Sequence, residues 1–477
     1  MTVEAPAAPG GDRDAARRTE FPCMDGARAV AAFAVVVYHA AGYAYVGYGA
    51  HWAPHSVRSV MSVLGQLGVA MFFVLSGFLL YRPYSAAQQT GRAAPRLGPF
   101  WARRSARILP AYWLALTVAI LLGTAWFDPG APLRDHLIAY TLVQNYWFGG
   151  QYAFGLGVAW TLVIEVSFYA ALPLIALGLR ALQRVLRIRA VTAQVVGLLL
   201  LAAVGIASRT VWLFVIGKDA STRHAWFPLG QLGYWLPSYL DWFAVGMLLA
   251  VASTWRDTGG RVPRPLRALA DRAAVAWSLA VIALIATTRS GLPVLVFRPF
   301  GAVAEWWWDA CSLLTATLIV LPLLLPGRRA DLGRRFLASP PMVLLGVISY
   351  GVYLWNLIAY RYLAWHRTAW WSPDGLWTYL ALAVTLTVVA AYLSYVLLER
   401  PVLEVVHRAV GSTRRGDADG WRPTWRVPVG SEQRRVTGWV DTESPLPPAF
   451  VAVVWVVAAG ALGTLAWALP SLRTAIG

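Results

Sequence analysis

An arginine and a histidine, eleven residues apart in one apolar run, are the first residues of this sequence equipped for chemistry. Arg28 and His39 lie in DGARAVAAFAVVVYHA. Eleven residues make about three helical turns, so the two side chains share one helix face, roughly 16 Å apart along the axis. Histidine is the usual general base near neutral pH. The structural alternative for His39 is a hydrogen bond to a neighbouring helix. Glu165, in AWTLVIEVSFYAALPL, is the second ionisable group inside an apolar run. Such groups are costly in a membrane and mark functional sites by default. Its expected depth is close to that of His39, where a carboxylate would orient the imidazole and stabilise the imidazolium. Thr161, Phe168 and Tyr169 share the helix face of Glu165. The structural alternative for Glu165 is an ion pair with Arg209.

Two arginines in FWARRSARILPAYW, Arg104 and Arg107, stand one helical turn apart at an expected membrane boundary. That spacing suits a grip on a phosphate-bearing ligand, although topology alone also demands arginines there. Ser76 and Gly77, in GVAMFFVLSGFLLYRPY at the expected cytosolic side of the second helix, allow close backbone approach between helices. Asp241 and Asp309 are further intramembrane acids, each with a structural alternative in a pair with Arg209 or a bond to a helix. His51, His55, His136, His224, His366 and His407 fall in expected loops or at helix ends. The spacing of His51 and His55 is too little to define a metal site, so no metal is expected. The sequence contains no Walker loop, Rossmann fingerprint or Gly-x-Ser-x-Gly elbow.

Positioning these residues takes a membrane. The chain has 477 residues, of which 58% are hydrophobic and only 13% charged. Soluble chains carry about 25% charged residues, so three soluble domains are excluded. A bilayer core needs about 20 apolar residues per helix. Eleven segments qualify: 27 to 48, 61 to 81, 108 to 127, 158 to 179, 193 to 216, 231 to 252, 274 to 290, 303 to 325, 342 to 365, 376 to 398 and 449 to 470. The segment 136 to 148 is too short and polar, and reads as a re-entrant or interfacial piece. The formal net charge is +18, and all 41 basic residues are arginine except Lys218. Arginines alternate between crowded and sparse loops through ten helices, which sets the crowded loops and the N-terminus in the cytoplasm. Residues 1 to 22 are expected as a disordered cytosolic tail, 23 to 406 as the membrane domain and 407 to 448 as a cytosolic Arg-rich linker. Residues 449 to 477 are expected as an extra transmembrane helix with a short outside tail. Cys23 and Cys311 cannot form a disulfide framework and are expected to pack. The 25 Trp and 20 Tyr read mostly as an interfacial belt. The fold class is all-α, a polytopic integral membrane protein with no nucleic-acid partner.

Six motifs occur in the order of one known family: Asp25-Gly26-x-Arg28 with His39, GVAMFFVLSGFLL, RRSARILPAYW, WTLVIEVSFY, ISYGVYLW at 348 to 355, and LLERPV at 397 to 402. Over about residues 21 to 406 the chain resembles membrane acyltransferase-3 proteins of the O-antigen acetylase type. That resemblance implies a ten-helix acyltransferase core in a bacterial cytoplasmic membrane. The implied activity is transfer of an acyl group, often acetyl, from cytosolic acyl-CoA to a hydroxyl of a glycan, glycolipid or secreted metabolite. By resemblance His39 is the catalytic base or transient acyl carrier, with Glu165 at the acidic position of the fourth-helix motif. Arg28, Arg104, Arg107, Ser76 and Gly77 are expected on the acyl-CoA side, and Trp160, Tyr169, Asp241 and Asn356 at the acceptor. Many members read Tyr-Leu-Trp-His in the late motif, whereas Tyr353, Leu354 and Trp355 are followed here by Asn356, so a second catalytic histidine is absent. Some members also carry a C-terminal GDSL-type hydrolase domain after an extra helix; here seven residues follow that helix. The rival reading is a proton-coupled glycolipid transporter or flippase with His39 and Glu165 as its relay. Against it, the sequence shows no inverted repeat of broken helices. A weaker rival is an acyltransferase-like protein that only binds or senses.

Overall fold

The computed structural model describes residues 23–48, 55–127, 131–147, 155–216, 229–289, 301–325, 331–366, 376–411, 424–429 and 432–437. The expected tail 1 to 22 and the expected extra helix 449 to 470 lie outside the described residues, as does most of the expected linker. Among the described residues, seven helices are long and apolar enough to cross a membrane, or nine when two bent pairs each count as one span. The chain is a helical, polytopic membrane protein, as its apolar runs predict.

The first three helices are α1 (Met24–Tyr48), α2 (His55–Gln89) and α3 (Leu97–Leu121). Two short helices follow, α4 (Leu133–Tyr140) and α5 (Gln144–Trp147). They occupy the segment read as interfacial, and at eight and four residues neither can span. Next come α6 (Ala159–Leu186), α7 (Ala190–Val211) and α8 (Leu240–Asp257). Helix α9 (Arg264–Asp271) meets α10 (Ala273–Arg289) at 97°, so the expected span 274 to 290 is the second arm of a bent pair. After α11 (Ala302–Leu324) and the one-turn α12 (Leu332–Leu337), helix α13 (Pro340–Val347) meets α14 (Ser349–His366) at 66°. The described helices end with α15 (Leu376–Ser394) and α16 (Arg400–Gly411), joined by the π-turn Tyr395–Glu399. One antiparallel hairpin, β1 (Thr424–Val429) with β2 (Glu432–Thr437), falls within the stretch read as linker.

The largest boundary difference bears on the site. A span from 108 to 127 leaves Arg104 and Arg107 in a loop, whereas α3 begins at Leu97, carries both arginines and ends at Leu121. Arginine, alanine and leucine are good helix formers, so the helix runs beyond its apolar stretch. Both guanidiniums therefore stand on a rigid scaffold.

Helix α2 packs against α1 on one side and α8 on the other. Glycines permit that approach: a methyl at Gly77 would collide with the Phe243 carbonyl oxygen, and one at Gly246 with the Val74 carbonyl oxygen. Phe73 and Phe168 both stack on Phe243, with centroids 4.6 and 3.9 Å away. Gly77 is thus a helix contact that seats Ser76 and does not line the cleft described below. Gly77→Ala is expected to force α2 and α8 apart at a cost of about 1–3 kcal/mol, typical of overpacking. A thermal melt of the solubilised protein measures this, and an unchanged melting temperature refutes the close contact.

Candidate active site

Helices α1, α2, α3, α6 and α14 line a partly open cleft. Its polar end is lined by Arg28 from the start of α1, Arg104 and Arg107 from α3, Ser76 from α2, and Glu165 with Tyr169 from α6. Glu165 Oε1 accepts hydrogen bonds from Ser76 Oγ at 2.8 Å and from Tyr169 OH at 2.6 Å. Arg104 lies over the Tyr169 ring, 5.6 Å from its centroid. Arg28 interacts electrostatically with Arg107, Asp25 and Glu165. Glu399, buried at the end of the π-turn, interacts with Arg107 and Arg28 and accepts from Ser394 Oγ at 3.3 Å. Glu399 stands in the LLERPV motif but was not among the expected site residues. Its signal was an acid inside a span-like run. Asp25 and Glu399 do not line the cleft. They act on Arg28 and Arg107 electrostatically, and Glu165 is the acid that lines the cleft.

Away from the arginines the walls become apolar, with Val69, Phe72, Phe73 and Leu162, and they close on Thr161 and Tyr353. The hydroxyls of Thr161 and Tyr353 are 2.6 Å apart. Phe72 packs edge-on against the Tyr353 ring at 5.8 Å. The backbone of Tyr353 leads directly to the histidine: its carbonyl accepts from Asn356 Nδ2 at 2.6 Å, and the Val352 carbonyl accepts from the same nitrogen at 3.2 Å. With the amide nitrogen held this way, Asn356 Oδ1 faces His39 Nδ1 at 2.7 Å. An amide oxygen only accepts, so Nδ1 carries the hydrogen and Nε2 keeps its lone pair. The network thus fixes a tautomer in which Nε2 can take a proton.

His39 and Glu165 therefore have different partners. The orienting group for the imidazole is Asn356, from the position expected to contact acceptor, while Glu165 belongs to the arginine end. Depth along a helix, the basis of the expectation, says nothing about azimuth. Tyr169, expected at the acceptor, also lies at the arginine end. Trp160 does not line the cleft: it packs edge-on against Tyr234 at 5.8 Å and tilts against Tyr239 at 5.9 Å. Asp241 is buried and bound to Arg209 through Oδ1 at 2.9 Å and Oδ2 at 3.0 Å. Arg209 Nε also pairs with Asp309 at 3.3 Å, and Gln66 Nε2 donates to Asp309 at 2.6 Å. The expectation of Asp241 at the acceptor gives way to its structural alternative, because its carboxylate is occupied in a dry ion pair.

A bundle of membrane helices around an arginine-lined cleft, with a tautomer-fixed histidine beyond its far end, defines the class of a membrane-embedded enzyme. The acyltransferase-3 model, described as an acyltransferase domain, matches residues 21–399, and the chain belongs to that family of acyltransferases. Over 439 residues it is 30% identical to "Putative membrane-bound transacylase BcsY" of Komagataeibacter xylinus, covering 87% of this chain and 92% of that protein. It is 27% identical over 351 residues to peptidoglycan O-acetyltransferase OatA of Listeria monocytogenes, covering 71% of this chain and 49% of that one. To O-acetyltransferase OatA of Staphylococcus aureus it is 24% identical over 398 residues, with 80% and 57% covered. The chain thus spans about half the length of the two OatA proteins. No solved structure matches it.

Proposed function

We propose that the protein is an integral-membrane O-acyltransferase that moves an acetyl group from acetyl-CoA to a hydroxyl of a cell-envelope glycan. The observation that carries this reading is the 2.7 Å contact between His39 Nδ1 and Asn356 Oδ1, which leaves Nε2 as a base on the helix that also carries Arg28 into the cleft. The relatives named O-acetyltransferases, one of them for peptidoglycan, support acetyl as the group and a glycan as acceptor. The Arg-rich loops support a cytoplasmic position for the arginine end of the bundle, in a bacterial inner membrane.

The cleft fits acetyl-CoA as donor substrate. Three guanidiniums at one end suit phosphates, and Arg104 with Arg107 present adjacent forks on one turn. The apolar walls suit the pantetheine arm, which leads toward Thr161 and Tyr353. The thioester supplies an activated carbonyl. His39 Nε2 accepts the proton of the attacking hydroxyl as the C–O bond forms. The C–S bond then breaks and CoA leaves as its thiol with that proton, and Asn356 keeps the imidazole in register while it is cationic. Glu165, Tyr169 and Ser76 hold the arginines in place and limit their mutual repulsion. The transporter reading needs His39 and Glu165 to exchange protons, yet each is engaged by other groups.

Two variants test the donor side. Arg104→Ala and Arg107→Ala are each expected to raise the apparent KM for acetyl-CoA about ten-fold or more, since a hydrogen bond to a charged group contributes roughly 1.5–3 kcal/mol. The acceptor KM should move far less. Release of free CoA, measured with and without a glycan acceptor, reads both constants, and an unchanged donor KM counts against the assignment. Acceptor-dependent CoA release also separates an acyltransferase from a carrier.

A further inference from the structure

One buried cation has no role in the cleft or the ion pairs. Arg361 lies near the end of α14, on the side of His39 away from the cleft, and only 7% of it is exposed. Its guanidinium lies over two indoles, Trp126 and Trp365, each with its ring centroid 4.3 Å away. Trp126 is held there by a backbone bridge: its N–H donates to Gly155 O at 2.7 Å, and Gly155 N–H donates to Trp126 O at 2.9 Å. Both indoles are partly exposed, at 39% and 53%. Among the described residues, Arg361 Nη1 has no hydrogen-bond partner and the guanidinium's electrostatic partner is Tyr43, not a carboxylate.

Two indole rings stack on the guanidinium, and its Nη1 has no hydrogen-bond partner among the described residues. Cation–π attraction offsets part of the desolvation of a buried cation, but it satisfies none of the in-plane N–H groups. The guanidinium edge is the fork that matches a carboxylate or a phosphate. The neighbourhood joins it to the reacting base. Tyr43, one turn beyond His39 on the same face of α1, stacks on Tyr360 at 6.0 Å and interacts electrostatically with Arg361. The Tyr360 hydroxyl, fully buried, is a second donor without a partner among the described residues. Arg361 is five residues past Asn356, about 7.5 Å further along α14.

We propose that Arg361, stacked on Trp126 and Trp365, seats an oxyanion of the acceptor, either a sugar carboxylate or the phosphate of a lipid-linked glycan. This rests on the acyltransferase reading above and gives the acceptor a chemical class: an anionic one, held by its charge while a nearby hydroxyl reaches His39.

The test uses the full-length protein in zwitterionic nanodiscs at physiological salt, with no donor present. Calorimetry compares two matched pairs: tetragalacturonate against its methyl ester, and farnesyl phosphate against farnesol. At least one anionic probe is expected to bind ten-fold or more tightly than its neutral partner, and the pair that shows this names the source of the oxyanion. Arg361→Gln is expected to erase the preference. Arg361→Lys, which keeps the charge but not the fork, should weaken the anionic probe several-fold. The proposal is overturned if neither anion is preferred, if Arg361→Gln retains the preference, or if Arg361→Lys binds like wild type. Should Arg361→Gln fail to fold, the lysine variant decides. Acetyl transfer measured on the same wild-type preparation separates the two claims. Transfer without anion preference defeats the seat alone, whereas preference without transfer defeats the acyltransferase reading alone.

Discussion

Replacing His39 with glutamine lowers kcat by about 10²–10⁴-fold, the usual contribution of a positioned general base. Glutamine is the sharper test than alanine, because its amide N–H can still donate toward Asn356 Oδ1 while offering no base. The fold should survive: His39 is only partly buried and its hydrogen-bond partner is Asn356. His39→Ala leaves one buried acceptor unpaired, a penalty of about 1–3 kcal/mol, and should be equally inactive. Asn356→Leu completes the series. It removes the acceptor that fixes the tautomer, so kcat should fall at least about ten-fold, a loss worth roughly 1.4 kcal/mol of transition-state stabilisation, with the donor KM unchanged. Asn356→Asp keeps an acceptor toward Nδ1 but sets its second oxygen against the Val352 and Tyr353 carbonyls, so it should restore the rate only in part relative to leucine. Activity is measured as acceptor-dependent CoA release by purified protein, with size-exclusion profiles as the control for folding. Full activity in His39→Gln would remove His39 from the chemistry.

Much of this arrangement is legible in the sequence because the bilayer makes polar residues conspicuous. Arg28, His39, Glu165, Asp241 and Asp309 stand out as ionisable groups in apolar runs, and each sits in a contact that explains its presence. Axial position follows from counting residues at a fixed rise, so Arg28 and His39 are correctly placed as two levels of one helix. Which helix faces which does not follow from counting. His39 meets Asn356 across 317 residues and Glu165 meets Ser76 across 89. Those partnerships depend on helix rotation and on the 66° bend before α14, where Ile348 separates two helical segments that read as one apolar run. The start of α3 was hidden for a related reason. Hydropathy marks where a helix is dry, not where it begins, and a turn rich in arginine can be fully helical. The stacking on Arg361 was least legible, since Trp126 and Trp365 look like ordinary members of an aromatic belt. Trp365 is one helical turn from Arg361 on α14, but the arrival of Trp126 from a part of the chain remote in sequence is a tertiary fact.

Arg209→Ala is expected to leave little folded protein. Arg209 is buried and joins α7 to α8 through both oxygens of Asp241, and to α11 through Asp309. Its guanidinium also lies over Tyr239 and Trp242, 5.5 and 5.2 Å from their centroids. Removing one partner of a buried ion pair costs about 3–5 kcal/mol, because the remaining charge stays buried and uncompensated. Here two carboxylates are left at once, beside the helix α8 that packs against α2 and so seats Ser76. Lysine should rescue poorly, since a point charge cannot meet Asp241 through two N–H groups while a third faces Asp309. Removing the charges together is the informative rescue. In the triple variant Arg209→Met, Asp241→Asn and Asp309→Asn no ion is stranded, so monodispersity in detergent and most of the wild-type melting temperature should return. The triple variant should also transfer acetyl groups with a near-normal acceptor KM, because in this structure Asp241 serves the helix contacts. An inactive but well-folded triple variant with a raised acceptor KM would return Asp241 to the acceptor site, and wild-type stability in Arg209→Ala would show that the ion pairs do not hold these three helices together.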